Sequence, residues 1–389
     1  MSQSNDPPGG SDSSLSETVG EWFHVPALVG IIAFMIWSRT QSYGNFVVNG
    51  EVYFRGNDPW YHLRETTFLL DNWPSTIVFD PWTGFPLGNE AGQFGTLWDH
   101  IMAVGITISQ SLMGGPEEVM LIMSPLIGSL VAVPTYLIAR RFVDRAAALV
   151  GVGVLALLPG TFFSYSLVGF PDHSAAEVFF QSLAVFVFLV AFAVAEREKP
   201  VWELVVDRDW TALRRPLGYA VAAGFALGLY LWTWQPGVLM VGFTGVYLAV
   251  KITSDVFNEK SPEPVALTGA VAMTITGAMM VIPLDNFGFV PGGYTLLQVV
   301  LPLGVAAGAV FLAWLARLWE SRGIEPTTYP AAVGGLILAS AGIVCAVLPS
   351  LDSTLISNLL NFVGFSATAQ FRTIGEARPP LHTAALLDF

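Results

Sequence analysis

The stretch GFPDHSAAEVFFQSLAVFVFLVAFAVA, residues 169–195, joins a cluster of ionisable side chains to a long apolar run. From Ala175 to Ala195 the only charge is Glu177, and about 20 apolar residues are the helix length that crosses a bilayer core. Directly before the run stand Asp172 and His173, at the membrane boundary. Ionisable groups there are costly unless they are paired, solvated or functional.

Comparable runs occupy 22–42, 117–139, 146–166, 216–235, 237–253, 265–283, 294–318 and 329–348. A shorter one, 98–113, opens on Trp98-Asp99-His100 and carries Ser109, Gln110 and Ser111, so an interfacial or re-entrant helix is its alternative. The composition agrees with a membrane bundle. The 389 residues are 53% hydrophobic and only 12% charged, against about 25% charged in a soluble domain. No obvious internal repeat is present, which argues against an inverted-repeat transporter.

Charge sets the sides. If 98–113 does not cross and the N-terminus is cytoplasmic, Arg140, Arg141, Arg145, Arg197, Lys199, Arg208, Arg214, Arg215, Lys251, Lys260, Arg317 and Arg322 all lie inside. Arg39, Arg55, Arg64, Arg372 and Arg378 are then left to the longer outer segments. The expectation is an all-α polytopic protein with nine transmembrane helices, a bundle over 21–348 and two long outer loops, 43–116 and 349–389. Long loops without regular structure are uncommon unless they serve a function.

The net charge of −13, with Lys199, Lys251 and Lys260 the only lysines, makes a poor nucleic-acid binder and suits high salt. Residues 1–20, rich in Ser, Asp, Pro and Gly and free of Lys and Arg, read as a disordered acidic tail rather than a signal peptide. Cys345, the single cysteine, permits no intrachain disulfide.

The outer segments carry acidic motifs: Asn57-Asp58-Pro59-Trp60-Tyr61-His62-Leu63-Arg64, Asp80-Pro81-Trp82 with Pro86-Leu87-Gly88, Gly169-Phe170-Pro171-Asp172-His173-Ser174, and Thr373-Ile374-Gly375-Glu376. Asp58, Asp172 and Glu376 could supply oxygen ligands to a hard divalent cation that assists departure of a phosphate. Bland readings stand beside these. Asp58-Pro59 and Asp80-Pro81 also read as turns, and Asp172 as the cap of the span that follows. His62 and His100 are weak ligand candidates without a visible partner.

Taken in order, these motifs resemble the catalytic subunit of archaeal oligosaccharyltransferase, from Trp22 to about Pro380. The resemblance implies a GT-C-like glycosyltransferase membrane domain in the plasma membrane, with its active site on the extracellular face. It implies transfer of a glycan from a dolichyl phosphate or pyrophosphate carrier to the Asn of an Asn-x-Ser/Thr acceptor. By the same resemblance Asp58 and Asp172 bind Mn²⁺ or Mg²⁺, with Asp58, Asp172 and Glu376 as the catalytic set. Arg64, Asp80, Thr373 and Glu376 contact substrate. Two departures stand out. Where the family usually carries Asp, Glu or His two residues after the second Asp, this chain has Ser174, so Ser174 or His173 would complete the metal set. The family continues into a soluble C-terminal domain with a Trp-Trp-Asp-Tyr-Gly motif, which this chain lacks; the expectation is a fragment, the product of a split or truncated gene, or a shortened paralogue, and a complete enzyme would need the missing half, which could act in trans. A non-catalytic paralogue or subunit and another polyprenyl-phosphate-sugar glycosyltransferase are the competing readings.

Overall fold

The computed structural model describes residues 22–91, 95–196, 201–289 and 293–347. The expected tail 1–20 and the loop holding Thr373 and Glu376 lie outside the described residues. The chain is built of helices: α1 His24–Thr40, α2 Asp58–Asn72, α3 Leu97–Met113, α4 Pro116–Leu130, α5 Ala132–Ala139, α6 Arg145–Leu157, α7 Thr161–Tyr165, α8 Ser174–Ala195, α9 Val201–Val206, α10 Trp210–Thr233, α11 Val238–Phe257, α12 Glu263–Met280, α13 Leu296–Ser321 and α14 Tyr329–Val347. Two short antiparallel hairpins lie between α1 and α3: Val47–Val48 with Glu51–Val52, and Phe79–Asp80 with Asn89–Glu90.

Among the described residues, six helical segments are long and apolar enough to cross a bilayer. They are Pro116–Ala139, Ser174–Ala195, Trp210–Thr233, Gln235–Phe257, Glu263–Met280 and Leu296–Ser321. Many of their apolar side chains face outward, such as Leu239, Phe243 and Val250 on α11. That is the surface of a protein whose solvent is lipid, and the chain is a membrane protein.

Two expected spans differ in detail. The run 146–166 is not one helix: α6 ends at Leu157, and Pro159-Gly160 precede the five-residue α7. Proline has no N–H for the ladder and Gly160 takes a φ of 146°, so the helix cannot continue there. The run 117–139 is two helical pieces joined at Val131. The short run becomes α3, packed on α2 and α4.

Helices α8, α10, α12 and α13 pack in series and carry most of the core. Close approach of α10 and α12 depends on Gly224, where any Cβ would collide with the Ala272 carbonyl. There the Thr276 hydroxyl donates to the Gly224 carbonyl across the interface at 3.1 Å. Small residues that admit a neighbouring backbone are the usual device of helix packing in lipid, where no hydrophobic drive presses helices together.

The segment after α7 is tied down from several sides. Val168 donates to the Arg39 carbonyl at 3.0 Å and Arg55 N–H to the Gly169 carbonyl at 2.7 Å. Ser124 donates to the Phe170 carbonyl at 2.7 Å. Arg39, fully buried, donates to Ser166 at 2.8 Å and lies over the Phe162 and Phe163 rings. Gly169 has a φ of 88° and meets the Phe46 ring where a Cβ would be, so no other residue fits without strain. These ties fix the approach to Asp172.

Candidate metal centre

Helix α2 begins at Asp58 rather than passing through it as a loop turn, with Pro59 in the first turn, where its missing N–H costs nothing. Asp58 is exposed, and His62 follows one turn later on the same face, fully buried. The Nδ1 of His62 lies 2.7 Å from Asp99 Oδ1, and its Nε2 lies 3.1 Å from Asp172 Oδ1 and 3.4 Å from His173 Nδ1. His173 Nδ1 is itself 2.8 Å from Asp172 Oδ1. His62 thus has two carboxylate partners, against the expectation of none.

His62, Asp172 and His173 each offer a ligand atom, and these atoms all lie within 4.8 Å of one another. Asp58 is not in that group; it stands one turn away at the exposed end of α2. The other oxygen of Asp172 accepts the Ser174 hydroxyl and, at 3.4 Å, the Ser174 N–H. The Ser174 hydroxyl is therefore turned back onto Asp172, while the N-cap position of α8 is His173, with no side-chain cap, rather than Asp172 as the capping reading expected.

Electrostatics follow from this crowding. Burial disfavours charge on His62, but Asp99 and Asp172 outweigh it and raise the imidazole to about 10. Burial pushes Asp172 up, yet His173 and His62 hold it well below the usual carboxylate range. Glu65, one turn beyond Tyr61, is pushed up to about 7, mainly by burial and then by the charge of Asp99. Its carboxylate accepts the Ile77 N–H at 3.2 Å.

Arg64 and Asp80 find each other. Arg64 donates Nε to Oδ1 at 3.1 Å and Nη2 to Oδ2 at 2.5 Å. Asp80 also accepts the Trp82 N–H and the Thr83 hydroxyl. The pair braces α2 against the second hairpin, and the Asp80 carboxylate is engaged within the protein. Asp99 and Glu65 were not among the expected site residues. A signal for Asp99 was present: like Asp172, it is a carboxylate at the head of an apolar run, beside a histidine.

The donor set of two imidazoles and a carboxylate is able to hold a metal ion. The chain is 46% identical over 371 residues, 94% of its length, to the dolichyl-monophosphooligosaccharide–protein glycotransferase AglB of Haloferax volcanii. It spans about a third of that relative, 35%. Its fold matches the archaeal oligosaccharyltransferase AglB from Archaeoglobus fulgidus in complex with an inhibitory peptide and a dolichol-phosphate. That match has a TM-score of 0.79 at 24% identity, over 92% of this chain and 41% of the other. A structure of the A. fulgidus oligosaccharyltransferase in complex with Zn and sulfate matches at TM-score 0.72 and 24% identity, over 87% of this chain and 43% of that one. The family described as oligosaccharyl transferase STT3, N-terminal, matches residues 27–318, about three quarters of the sequence, and the chain belongs to that family.

Proposed function

We propose that the chain carries the cation-binding membrane part of an oligosaccharyltransferase. It would transfer a glycan from a dolichyl-phosphate-type carrier to the Asn side chain of an Asn-x-Ser/Thr acceptor protein. The observation that carries this is the cluster of buried His62 and Asp172 with half-buried His173, built from two of the acidic motifs and on the same helix as the exposed Asp58. In the transfer the acceptor amide nitrogen bonds to the anomeric carbon, the carbon–oxygen bond to the carrier phosphate breaks, and the amide gives up a proton. A divalent cation at the cluster, Mn²⁺ or Mg²⁺, would neutralise charge gathering on the departing phosphate. Asp172 and His173 would hold it at the head of α8. Asp58, at the open end of α2, would close the site on the substrate side, and Glu376 would engage the acceptor amide. Any partner supplying the rest of the relatives' length would act on the same face.

The same reading gives nine crossings: the six long segments with α1, α6 continued by α7, and α14. The described residues fall within the expected bundle 21–348, and the expected outer loop 349–389 lies outside them. The N-terminus lies in the cytoplasm and the cluster at the extracellular face of the plasma membrane. The ends of α2, α3 and α8 that meet at the cluster then all lie on the outer side.

The test uses the detergent-purified chain with lipid-linked oligosaccharide extract, a fluorescent Asn-x-Thr peptide and high salt. The expected result is a glycopeptide gel shift with Mn²⁺ that EDTA removes. Asp58→Ala and Asp172→Ala should each reduce it at least about 100-fold, as expected when charge stabilisation at the leaving group is lost. A shift that survives EDTA and both substitutions overturns the proposal.

A further inference from the structure

Asp99 has no part in the chemistry above, yet it is fully buried at the first turn of α3. Its Oδ1 lies 2.7 Å from His62 Nδ1, and its Oδ2 makes no hydrogen bond among the described residues. A buried carboxylate is costly unless it is paired, so the contact with His62 is the one that holds it there.

That contact decides which His62 nitrogen is available. An ionised carboxylate only accepts, so the nitrogen facing it must carry the proton. With Nδ1–H directed at Asp99, the Nε2 edge of the ring faces Asp172 Oδ1 and His173 Nδ1, where a bound cation would take the place of the Nε2 proton. Metal-binding histidines commonly donate their other N–H to a carboxylate, which sets tautomer and ring orientation. The arrangement also accounts for Ser174. Its hydroxyl is turned onto Asp172, and an imidazole from α2 enters the cluster from the facing helix.

We propose that His62 is a cation ligand through Nε2, beside Asp172 and His173, and that Asp99 is the positioning residue that fixes its ring. The inference rests on the metal centre of the preceding subsection and narrows it. A set with two imidazole nitrogens favours Mn²⁺ over Mg²⁺, which prefers oxygen ligands and keeps its waters.

The test is Mn²⁺ binding by the whole detergent-purified chain, without substrate, followed by titration and pulsed electron paramagnetic resonance. The wild type should show two imidazole nitrogens coupled to bound Mn²⁺ and should bind Mg²⁺ at least about tenfold more weakly. Asp99→Asn keeps the volume but can offer its N–H₂ to Nδ1, which moves the ring proton to Nε2. It should weaken Mn²⁺ binding about 10–100-fold and remove one nitrogen coupling. Thr66→Ala, which truncates a buried side chain of α2 whose hydroxyl makes no hydrogen bond among the described residues, should leave both readouts unchanged. One nitrogen or none in the wild type overturns the inference, and so does wild-type affinity in Asp99→Asn. Asp172→Asn separates the two levels. If it loses Mn²⁺ while Asp99→Asn does not, only the role of Asp99 and His62 fails. If it binds like the wild type, the metal centre itself is misplaced.

Discussion

Asp80 is only 2% exposed, and its carboxylate is surrounded by the Arg64 guanidinium, the Trp82 N–H and the Thr83 hydroxyl. Burial alone would raise its pKa, but Arg64 first, then the Thr83 and Trp82 hydrogen bonds, bring it from 3.8 down to about 2. The sign of the linkage follows from that depression. The charged form is favoured by folding, so the contribution is full above about pH 4 and is lost as pH falls through about 2. Asp80→Asn should lower stability by about 2 kcal/mol at neutral pH. Thermal unfolding in detergent should show a gap between wild type and variant that shrinks between about pH 4 and pH 2. A gap independent of pH would assign the effect to shape rather than charge. The Asp80-Pro81 turn was legible in the sequence. Its pairing with Arg64 was not, because nothing local says that a side chain 16 residues away returns to the same place.

At the scale of elements, glycine positions separate into those that permit packing and those that do not matter. Gly224 on α10 faces the Ala272 carbonyl of α12, whereas Gly151 on α6 has nothing within 4 Å of where a Cβ would be. Gly224→Leu should therefore cost about 1–3 kcal/mol or more, since a backbone carbonyl cannot swing aside like a side chain. Gly151→Leu should leave the melting temperature within a degree or two of wild type. Equal melting temperatures for the two variants would mean that α10 and α12 are not in close contact. Most helix limits were readable from the apolar runs: 175–195 became α8 Ser174–Ala195 and 329–348 became α14 Tyr329–Val347. The split of 146–166 was written in Pro159-Gly160, but overall apolarity masked it. Composition measures transfer to lipid, while continuity of the helix is decided by backbone donors and φ.

At the scale of the molecule, the open physical question is which ends of the helices share a side of the membrane. The twelve Arg and Lys residues assigned inside give one answer. The meeting of α2, α3 and the head of α8 at one cluster is consistent with it, because residues that touch share a side. In a Cys345→Ser background, a cysteine replacing Arg141 should stay unmodified by a membrane-impermeant maleimide applied outside. One replacing Trp82, which is 66% exposed on the proposed outer loop, should react fully. Labelling at 141 from outside would discard the nine-span arrangement.

The sequence by itself determined the solvent of this protein and the order of its parts. Apolar length and the scarcity of charge are sums over neighbouring residues, and the acidic motifs are read off in chain order. It also placed Asp172 at the head of a span, since the charge and the apolar run adjoin. Only the tertiary structure decided which side chains meet. It drew His62, taken as partnerless, between Asp99 and Asp172 across sequence separations of 37 and 110 residues. It turned Ser174 back onto Asp172 and left Asp58 at the open end of its helix. The reason is that a buried imidazole or carboxylate is tolerated only where folding supplies its partner, and that partner comes from another helix that no local pattern identifies.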